Sequence, residues 1–537
     1  MLIAGDISGI QEYLFDVAHE GGAQARKLRA RSFYLQLLAE IAALRIAEAA
    51  GWGTEQIVFC SAGKFLLHGD GLTDTQKARV EQERASFSRL LMSETGAQLR
   101  FALVISDETG IEGQQYENAL KSLETNMRRA WAELAIRAGG WEPDRFVLAP
   151  LDAPCELCKR RAATGEENDP DSGNVWQVCD RCRQDREIGA QLPQSHYAVV
   201  TPGAQDKSFS VGGWHVRLTG SFPRQDEGYI LPLGSENGAR PANSRARILP
   251  RYLARHIPTQ NGQAIEFVEL AEGAKGAPWL GVLKMDGDAL GAHFRRITQG
   301  ATDLSRLAAF SKELDEFFAI HLSRIMSKSQ SRIYTIFAGG DDLLMVGAWD
   351  EIFAFAGQIH QLFARQFGAR HLTISGGLAF IRPKHPIRFA AARADELLET
   401  AKAYVLPNEA AAKDQLAAFG QVWKWRHHRI ITDTANQLVG WVEAGAFQRG
   451  WLHTLLRLAL LRHSGSSRAE KQLATSRLAH HVARNYPRGA VRDWADRLVE
   501  DFDRLTRPET FYLPAITRYA LTATRSKGKE EDRRREE

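Results

Sequence analysis

Two adjacent aspartates interrupt an apolar run in Phe337-Ala338-Gly339-Gly340-Asp341-Asp342-Leu343-Leu344, and this constrains the chain more than any other feature. The flanking residues are the kind that fill a sheet interior, so residues 333–346 read as two buried strands joined at a Gly-Gly turn. Carboxylates inserted into such a hairpin are unfavourable unless something satisfies them. The two glycines permit a tight turn and close approach of a ligand to the backbone. A second segment, Leu280-Gly281-Val282-Leu283-Lys284-Met285-Asp286-Gly287-Asp288, reads as a buried strand ending in two acids with Gly287 between them. Paired centrally, the two segments bring Asp286 close to Asp341 or Asp342. Converging carboxylates at strand ends suit Mg²⁺ or Mn²⁺, hard cations that take oxygen ligands and activate phosphoryl transfer. A solvated Gly-Gly-Asp-Asp turn is the plainer alternative, and the apolar arms argue against it.

The same pattern of strand, helix, hairpin, helix and strand occurs earlier in the chain. Ser61-Ala62-Gly63-Lys64-Phe65-Leu66-Leu67 lies over Ala338-Gly339-Gly340-Asp341-Asp342-Leu343-Leu344, and Asp6-Ile7-Ser8 over Asp286-Gly287-Asp288. Two related domains are the simplest explanation. The second copy has Asp where the first has Ser8, Lys64 and Phe65, so metal binding is expected of the second copy alone.

Cys155-x₂-Cys158 and Cys179-x₂-Cys182 account for four of the five cysteines and have the spacing of a zinc site. Four thiolates close a tetrahedral shell, so Zn²⁺ here is expected to be structural. A redox dithiol would need only one pair. Two basic runs invite a nucleic-acid reading: Arg26, Lys27, Arg29 and Arg31, and Lys424, Arg426, His427, His428 and Arg429 beside Trp423 and Trp425. A solvated face is the commoner use of such charges, and the sequence leaves both open. Neither a signal-peptide pattern nor an apolar stretch of membrane-spanning length is present, so the expected location is cytoplasmic, with no membrane partner.

With Gly5-Asp6-Ile7-Ser8-Gly9-Ile10-Gln11 and Leu28-Arg29-Ala30-Arg31-Ser32-Phe33-Tyr34-Leu35 at the start, the chain resembles the large polymerase/cyclase subunit of type III CRISPR effector complexes. Gly339-Gly340-Asp341-Asp342 is similar to that family's GGDD signature, and Met285-Asp286-Gly287-Asp288-Ala289-Leu290-Gly291 to its second palm's opening motif. Ser375-Gly376-Gly377 and Ala401-Lys402 match later motifs. The resemblance implies an α+β multidomain chain with two ferredoxin-like palm (nucleotidyl cyclase-like) domains, a zinc-binding insert and a C-terminal helical domain. The expected boundaries are 1–115 for a degenerate first palm, 116–275 for a helical and zinc-binding region with a strand-rich connector, and 276–430 for the catalytic palm. Residues 431–525 complete it as a helical domain, and 526–537 as a disordered charged tail.

The resemblance also implies target-RNA-activated synthesis of a cyclic oligoadenylate from ATP, within an RNA-guided defence complex of further subunits, guide RNA and target RNA. Asp286, Asp341 and Asp342 are then the catalytic and Mg²⁺- or Mn²⁺-binding acids. Gly339, Gly340, Gly287, Asp288, Ser375, Lys402 and Ser8 are the expected nucleotide-binding residues. A non-catalytic nucleotide-binding scaffold subunit is the alternative. Many family members begin with an HD-type nuclease domain. Here the palm strand begins at residue 2 and no His-Asp dipeptide occurs, so no nuclease activity of that type is expected.

Overall fold

The computed structural model describes residues 1–15, 24–61, 63–106, 114–132, 153–168, 173, 175–223, 228–233, 247–249, 256–260, 263–298, 304–329, 331–340, 342–407, 409–465 and 467–525. The chain divides into two compact units. One comprises Met1–Glu266, Ala289–Leu344 and Lys384–Arg388, the other Phe267–Asp288, Met345–Pro383 and Phe389–Glu537.

In the first unit the apolar opening run forms β1 (Leu2–Ser8), followed by the long helix α1 (Gln24–Ala50). Next come the hairpin β2 (Ile57–Ser61) and β3 (Lys64–His68), helix α2 (Asp74–Thr95) and β4 (Arg100–Ile105). Thr73 caps α2 by accepting from the Gln76 N–H, and Gly96, at φ +62°, ends the helix in the left-handed conformation that glycine adopts without penalty. The sheet order is β2-β3-β1-β4, with both neighbours antiparallel to β1. This is the ferredoxin-like arrangement that the family resemblance implies.

The zinc-type cysteines flank a short hairpin, β5 (Gly165–Asn168) and β6 (Val175–Val178), and the start of helix α3 (Asp180–Gln191). A five-stranded sheet follows, built from Tyr197–Thr201, Phe209–Val211, Trp214–Thr219, Tyr229–Pro232 and Arg247–Ile248. Its strands are only two to six residues long, which is why the Gly- and Pro-rich sequence there gave little periodic signal.

The second palm-type sheet contains β7 (Leu280–Asp288), β8 (Ile333–Gly339), β9 (Asp342–Ala348) and β10 (Thr373–Ile381). Helix α4 (Ser305–Asp315) precedes β8, and α5 (Trp349–Phe367) precedes β10. Helix α6 (Ile387–Ala403) then leads to β11 (Gln415–Ala418) and β12 (Gln421–Lys424). Strand β9 runs from the first unit into the second, and the sheet order is β8-β9-β7-β10-β11-β12. Its first four strands repeat the order of the N-terminal sheet, so the palm topology occurs twice. Strands β7 and β10 pair antiparallel from Leu280↔Ile381 to Asp288↔Thr373.

Beyond β12 the described chain is helical: α7 (Trp425–Glu443), α8 (Arg449–Ser464), α9 (Arg468–Asn485), α10 (Ala490–Asp501) and α11 (Leu513–Ala523), with a short helical turn at Pro508–Phe511. Leu452, Leu455 and Leu458 recur on one face of α8 and are buried. The charged tail 526–537 lies outside the described residues. Among the described residues no helix is long and apolar enough to cross a membrane.

Candidate active site

In the second unit, Asp286 sits one turn of the pleat before the end of β7, half-buried and opposite Ser375 of β10. Its carboxylate forms an ion pair with the Lys402 ammonium, from the last turn of α6. Burial, with Lys413 and Lys284 nearby, pulls Lys402 down to about 8. Lys284 is buried on β7 and ion-paired with Asp395. Cations thus gather around one strand-end carboxylate, an arrangement suited to a polyanion held together with metal.

Asp288 has different surroundings. It is buried, and its carboxylate accepts from Ser375 Oγ at 2.9 Å, Thr373 Oγ1 at 2.8 Å and the Asp414 N–H at 3.0 Å. Burial pushes its pKa up, and these donors pull it back. Asp288 and Ser375 therefore pin β7 to β10 and to the loop carrying Lys413 and Asp414. That loop is strained, with Lys413 at φ +72° and Asp414 at +53°. Lys424 Nζ holds it from the other side, donating to the carbonyls of Ala411 at 3.0 Å and Lys413 at 2.5 Å. His360 Nε2 lies 3.0 Å from Asp414 Oδ1. Gly287 is buried between the two acids.

In the first unit, Gly339 ends β8 and Gly340 makes the turn at φ +65°, a conformation that glycine tolerates. Asp342 opens β9 and is half-buried; Asp341 lies outside the described residues. The Gly340 N–H donates to Asp315 Oδ1 at 3.2 Å, and the same oxygen accepts from Ser61 Oγ at 2.6 Å. In the N-terminal copy Lys64 is exposed and pairs in register with Asp6, whose carboxyl burial pushes up to about 6 despite that lysine. Ser8 ends β1 half-buried.

The four cysteines converge. Their sulfurs all lie within 4.8 Å of one another, with Cys158 Sγ 3.9 Å from Cys179 Sγ. A tetrahedral zinc with Zn–S bonds of about 2.3 Å needs sulfurs about 3.8 Å apart, so the cluster fits Zn²⁺. Cys155, Cys179 and Cys182 are buried, in keeping with a closed structural site. The turn is built by Lys159 N–H donating to Cys155 O at 2.8 Å, and by Glu156 N–H donating to Gln177 O at 2.9 Å.

The first basic run is neither a solvated face nor a free phosphate-binding strip. Lys27, Arg29 and Arg31 are buried. Arg31 Nε donates to Asp185 Oδ2 at 3.2 Å, while Arg181 Nε lies 3.0 Å from the other oxygen of that carboxylate. The Arg181 guanidinium also covers the Tyr34 ring at 3.7 Å. Arg29 donates to Tyr334 Oη on β8 at 2.8 Å and to Gly189 O on α3 at 3.2 Å. In the second run Lys424 and His428 are buried as well, leaving Arg426 and Arg429 exposed.

Sequence reasoning missed Asp315, Lys413 and Asp414. Asp315 lies at a polar position of an amphipathic helix, where an acid reads as solvated. Lys413 and Asp414 lie in a loop without periodicity.

A family model described as the Cas10/Cmr2 second palm domain matches residues 279–417, and one for Csm1 subunit domain B matches residues 1–137. The chain belongs to the Cas10/Csm1 family. Among curated Cas10/Csm1 relatives, a protein named as the type III-A CRISPR system single-strand-specific deoxyribonuclease from Thermococcus onnurineus is 27% identical over 431 residues, 75% of this chain and 53% of that protein. The protein of the same name from Streptococcus thermophilus is 23% identical over 511 residues, 90% of this chain and 62% of its own. The chain thus spans little more than half the length of these relatives. A Csm1–Csm4 subcomplex of the type III-A interference complex superposes with a TM-score of 0.74 at 22% identity, covering 98% of this chain and 70% of that one. A Csm1–Csm4 cassette in complex with cA3 gives 0.72 at 21% identity, covering 98% and 69%. At these identities the superpositions establish the Csm1 fold.

Proposed function

We propose that this Cas10/Csm1 chain synthesises a cyclic oligoadenylate from ATP in the cytoplasm, as a subunit of a type III-A complex switched on by target RNA. The observation that carries the reading is Asp286 at the end of a family-matched palm strand, ion-paired with Lys402 and close to Lys284 and Lys413. Solved family relatives are described in complex with one ATP, with cA3 and with cA4, which supports ATP as substrate class and oligoadenylate as product.

The donor set fits Mg²⁺ or Mn²⁺, since Asp286, Asp341 and Asp342 offer only carboxylate oxygens and Asp286 already attracts a cation. When bound, such ions neutralise phosphate charge and orient the reacting oxygens. The chain's own residues supply the rest. Lys402 exchanges its Asp286 partner for a phosphate oxygen, with Lys413 beside it. Asp288, Ser375 and Thr373 hold β7, β10 and the Lys413 loop in register. The glycines of the turn let a nucleotide approach the backbone. In the reaction a ribose hydroxyl of one nucleotide attacks the α-phosphate of another; a P–O bond forms, the α–β bond breaks, and pyrophosphate leaves while the hydroxyl proton passes to solvent. A final attack by the terminal ribose hydroxyl on the α-phosphate at the other end of the chain closes the ring, the α–β bond there breaks, and a last pyrophosphate leaves with the proton again passing to solvent.

The test is product formation from labelled ATP or GTP by the purified complex, with and without target RNA. Asp341→Ala with Asp342→Ala should abolish product while assembly and RNA binding persist, and Lys64→Ala in the degenerate hairpin should leave a substantial rate. Undiminished synthesis by the double-Asp variant would remove the active-site assignment. Nucleotide binding without product in the wild type would leave the scaffold reading in its place.

A further inference from the structure

The acid-bearing turn is held by a residue outside its own strands. Helix α4 ends at Asp315 and continues through one wider turn, Glu316–His321, with π-helical hydrogen bonding. Such π-helical turns are frequent at functional sites. At its start stands the Asp315 carboxylate. One of its oxygens receives both the Gly340 N–H, at 3.2 Å, and the Ser61 hydroxyl, at 2.6 Å. Gly340 immediately precedes Asp341 and Asp342. Ser61 ends the strand of the other hairpin, the copy that lost its acids.

A cavity of about 270 Å³ lies against the turn, lined among others by Cys60, Ser61, Gly63, Asp315, Phe337 and Gly339. Gly340 has no side chain to resist rotation, and its left-handed backbone is easily exchanged for another by glycine. The hydrogen bond from its N–H to Asp315 restrains this peptide, and one to a carboxylate is the strong kind.

Resting on the cyclase reading above, we infer that Asp315 is a positioning residue for the acid-bearing turn, and that Ser61 of the degenerate hairpin orients Asp315. The N-terminal palm then contributes to synthesis without carboxylates of its own at the turn. Its hairpin is the bracket against which the active hairpin is set.

The experiment measures kcat and KM for ATP with the target-activated complex, for Asp315→Ala, Asp315→Asn, Ser61→Ala and the Asp315→Ala/Ser61→Ala pair. Asp315→Ala should lower kcat about 10- to 100-fold, the scale of losing a hydrogen bond to a charged group, with KM within about 3-fold. Asp315→Asn keeps an acceptor oxygen and should recover to within about 5-fold of wild type, which a purely structural loss would not do. Ser61→Ala should lower kcat less, and the pair should be no slower than Asp315→Ala alone, because Ser61 acts through Asp315. Unchanged kcat in Asp315→Ala, or effects that multiply in the pair, would overturn the inference. Should Asp315→Ala not fold, Asp315→Asn and Ser61→Ala decide: unchanged kcat in Ser61→Ala overturns it, and a kcat loss at constant KM supports it. The Asp341→Ala/Asp342→Ala variant run alongside separates the two levels. Synthesis that survives there removes the active-site assignment, absence of product from the wild-type complex removes the cyclase reading, and loss of product in the double variant beside a fully active Asp315→Ala removes only the role of Asp315.

Discussion

Asp185 carries an unusual electrostatic burden, and its removal makes a quantitative prediction. Its side chain is 1% exposed, and it lies between Arg31 and Arg181, themselves 5% and 8% exposed. The desolvation of three charges is offset by two short contacts to one carboxylate, and the Asp185 charge raises the Arg31 and Arg181 pKa values. Replacing Asp185 by Ala leaves two guanidinium groups buried without their anion. Breaking a buried ion pair by removing one partner costs about 3–5 kcal/mol. In a unit of this size about 2 °C of melting temperature accompanies each kcal/mol, so a loss on the order of 6–10 °C is expected for the transition that includes α1 and α3. The control is Asp185→Leu with Arg31→Met and Arg181→Met, which exchanges the triad for apolar side chains of similar bulk and should recover much of the loss. Calorimetry of the three proteins at one ionic strength makes the comparison. High salt should restore little, because a pair shielded from water is screened weakly. A melting temperature within 1 °C of wild type for Asp185→Ala, or full rescue of that variant by salt, would refute the argument that this carboxylate is what permits two arginines inside the zinc-side core.

Further outcomes follow from other residues. Elemental analysis of chain purified without chelator should find about one zinc, and Cys182→Ser should lose the metal and lower the melting temperature; metal-free wild type would contradict the assignment. Asp6, pushed up to about 6 in the folded state from an ordinary 3.8, penalises folding above pH 6 by an amount that vanishes below about pH 4. Asp6→Asn should therefore gain on wild type by up to about 3 kcal/mol as pH rises from 4 to 7, and a gap independent of pH would count against this. Lys402→Ala should raise KM for ATP and leave the melting temperature within about 2 °C, because its partner Asp286 remains half-exposed to water.

Much of the fold was legible because its signals are local. The two palm-type hairpins were visible as apolar arms around a glycine turn, and the same strand order, β2-β3-β1-β4 and β8-β9-β7-β10, appears in both sheets. The cysteine spacing foretold the convergence of four sulfurs. Residues 201–275 resisted because short strands with frequent Gly and Pro have no period to detect. The basic run Arg26 to Arg31 misled for a different reason: charge alone argues for exposure, while the anion that makes burial tolerable, Asp185, is supplied from a helix far along the chain. Sequence shows where a charge is, not what partner the fold brings to it.

The same distinction governs the site. Asp286, Asp288 and Ser375 were all readable as motif residues, yet the structure gives them different work. Asp286 is half-exposed and meets an ammonium, so its charge is available for exchange. Asp288 is buried among hydroxyls and an N–H, so its charge is spent on holding β7, β10 and the Lys413 loop together. A motif records residue identities in order, and two aspartates one glycine apart look equivalent in it. On a strand, side chains at that spacing share one face, so periodicity cannot separate them either. What separates them is depth: toward the end of β7 the Thr373 and Ser375 hydroxyls and the Asp414 amide close around Asp288, while the α6 lysine reaches Asp286 from the last turn of its helix. Substitution should follow that division. Asp288→Asn keeps an acceptor for these donors but loses the charge that strengthens them, so its first effect should be on the Lys413 loop and on stability. Asp286→Asn leaves the sheet intact and removes the charge on which the proposed metal and Lys402 depend. Loss of product with an unchanged melting temperature in Asp286→Asn, beside a lowered melting temperature in Asp288→Asn, is the expected pair of results, and the reverse assignment would show that depth in the sheet does not sort these two acids.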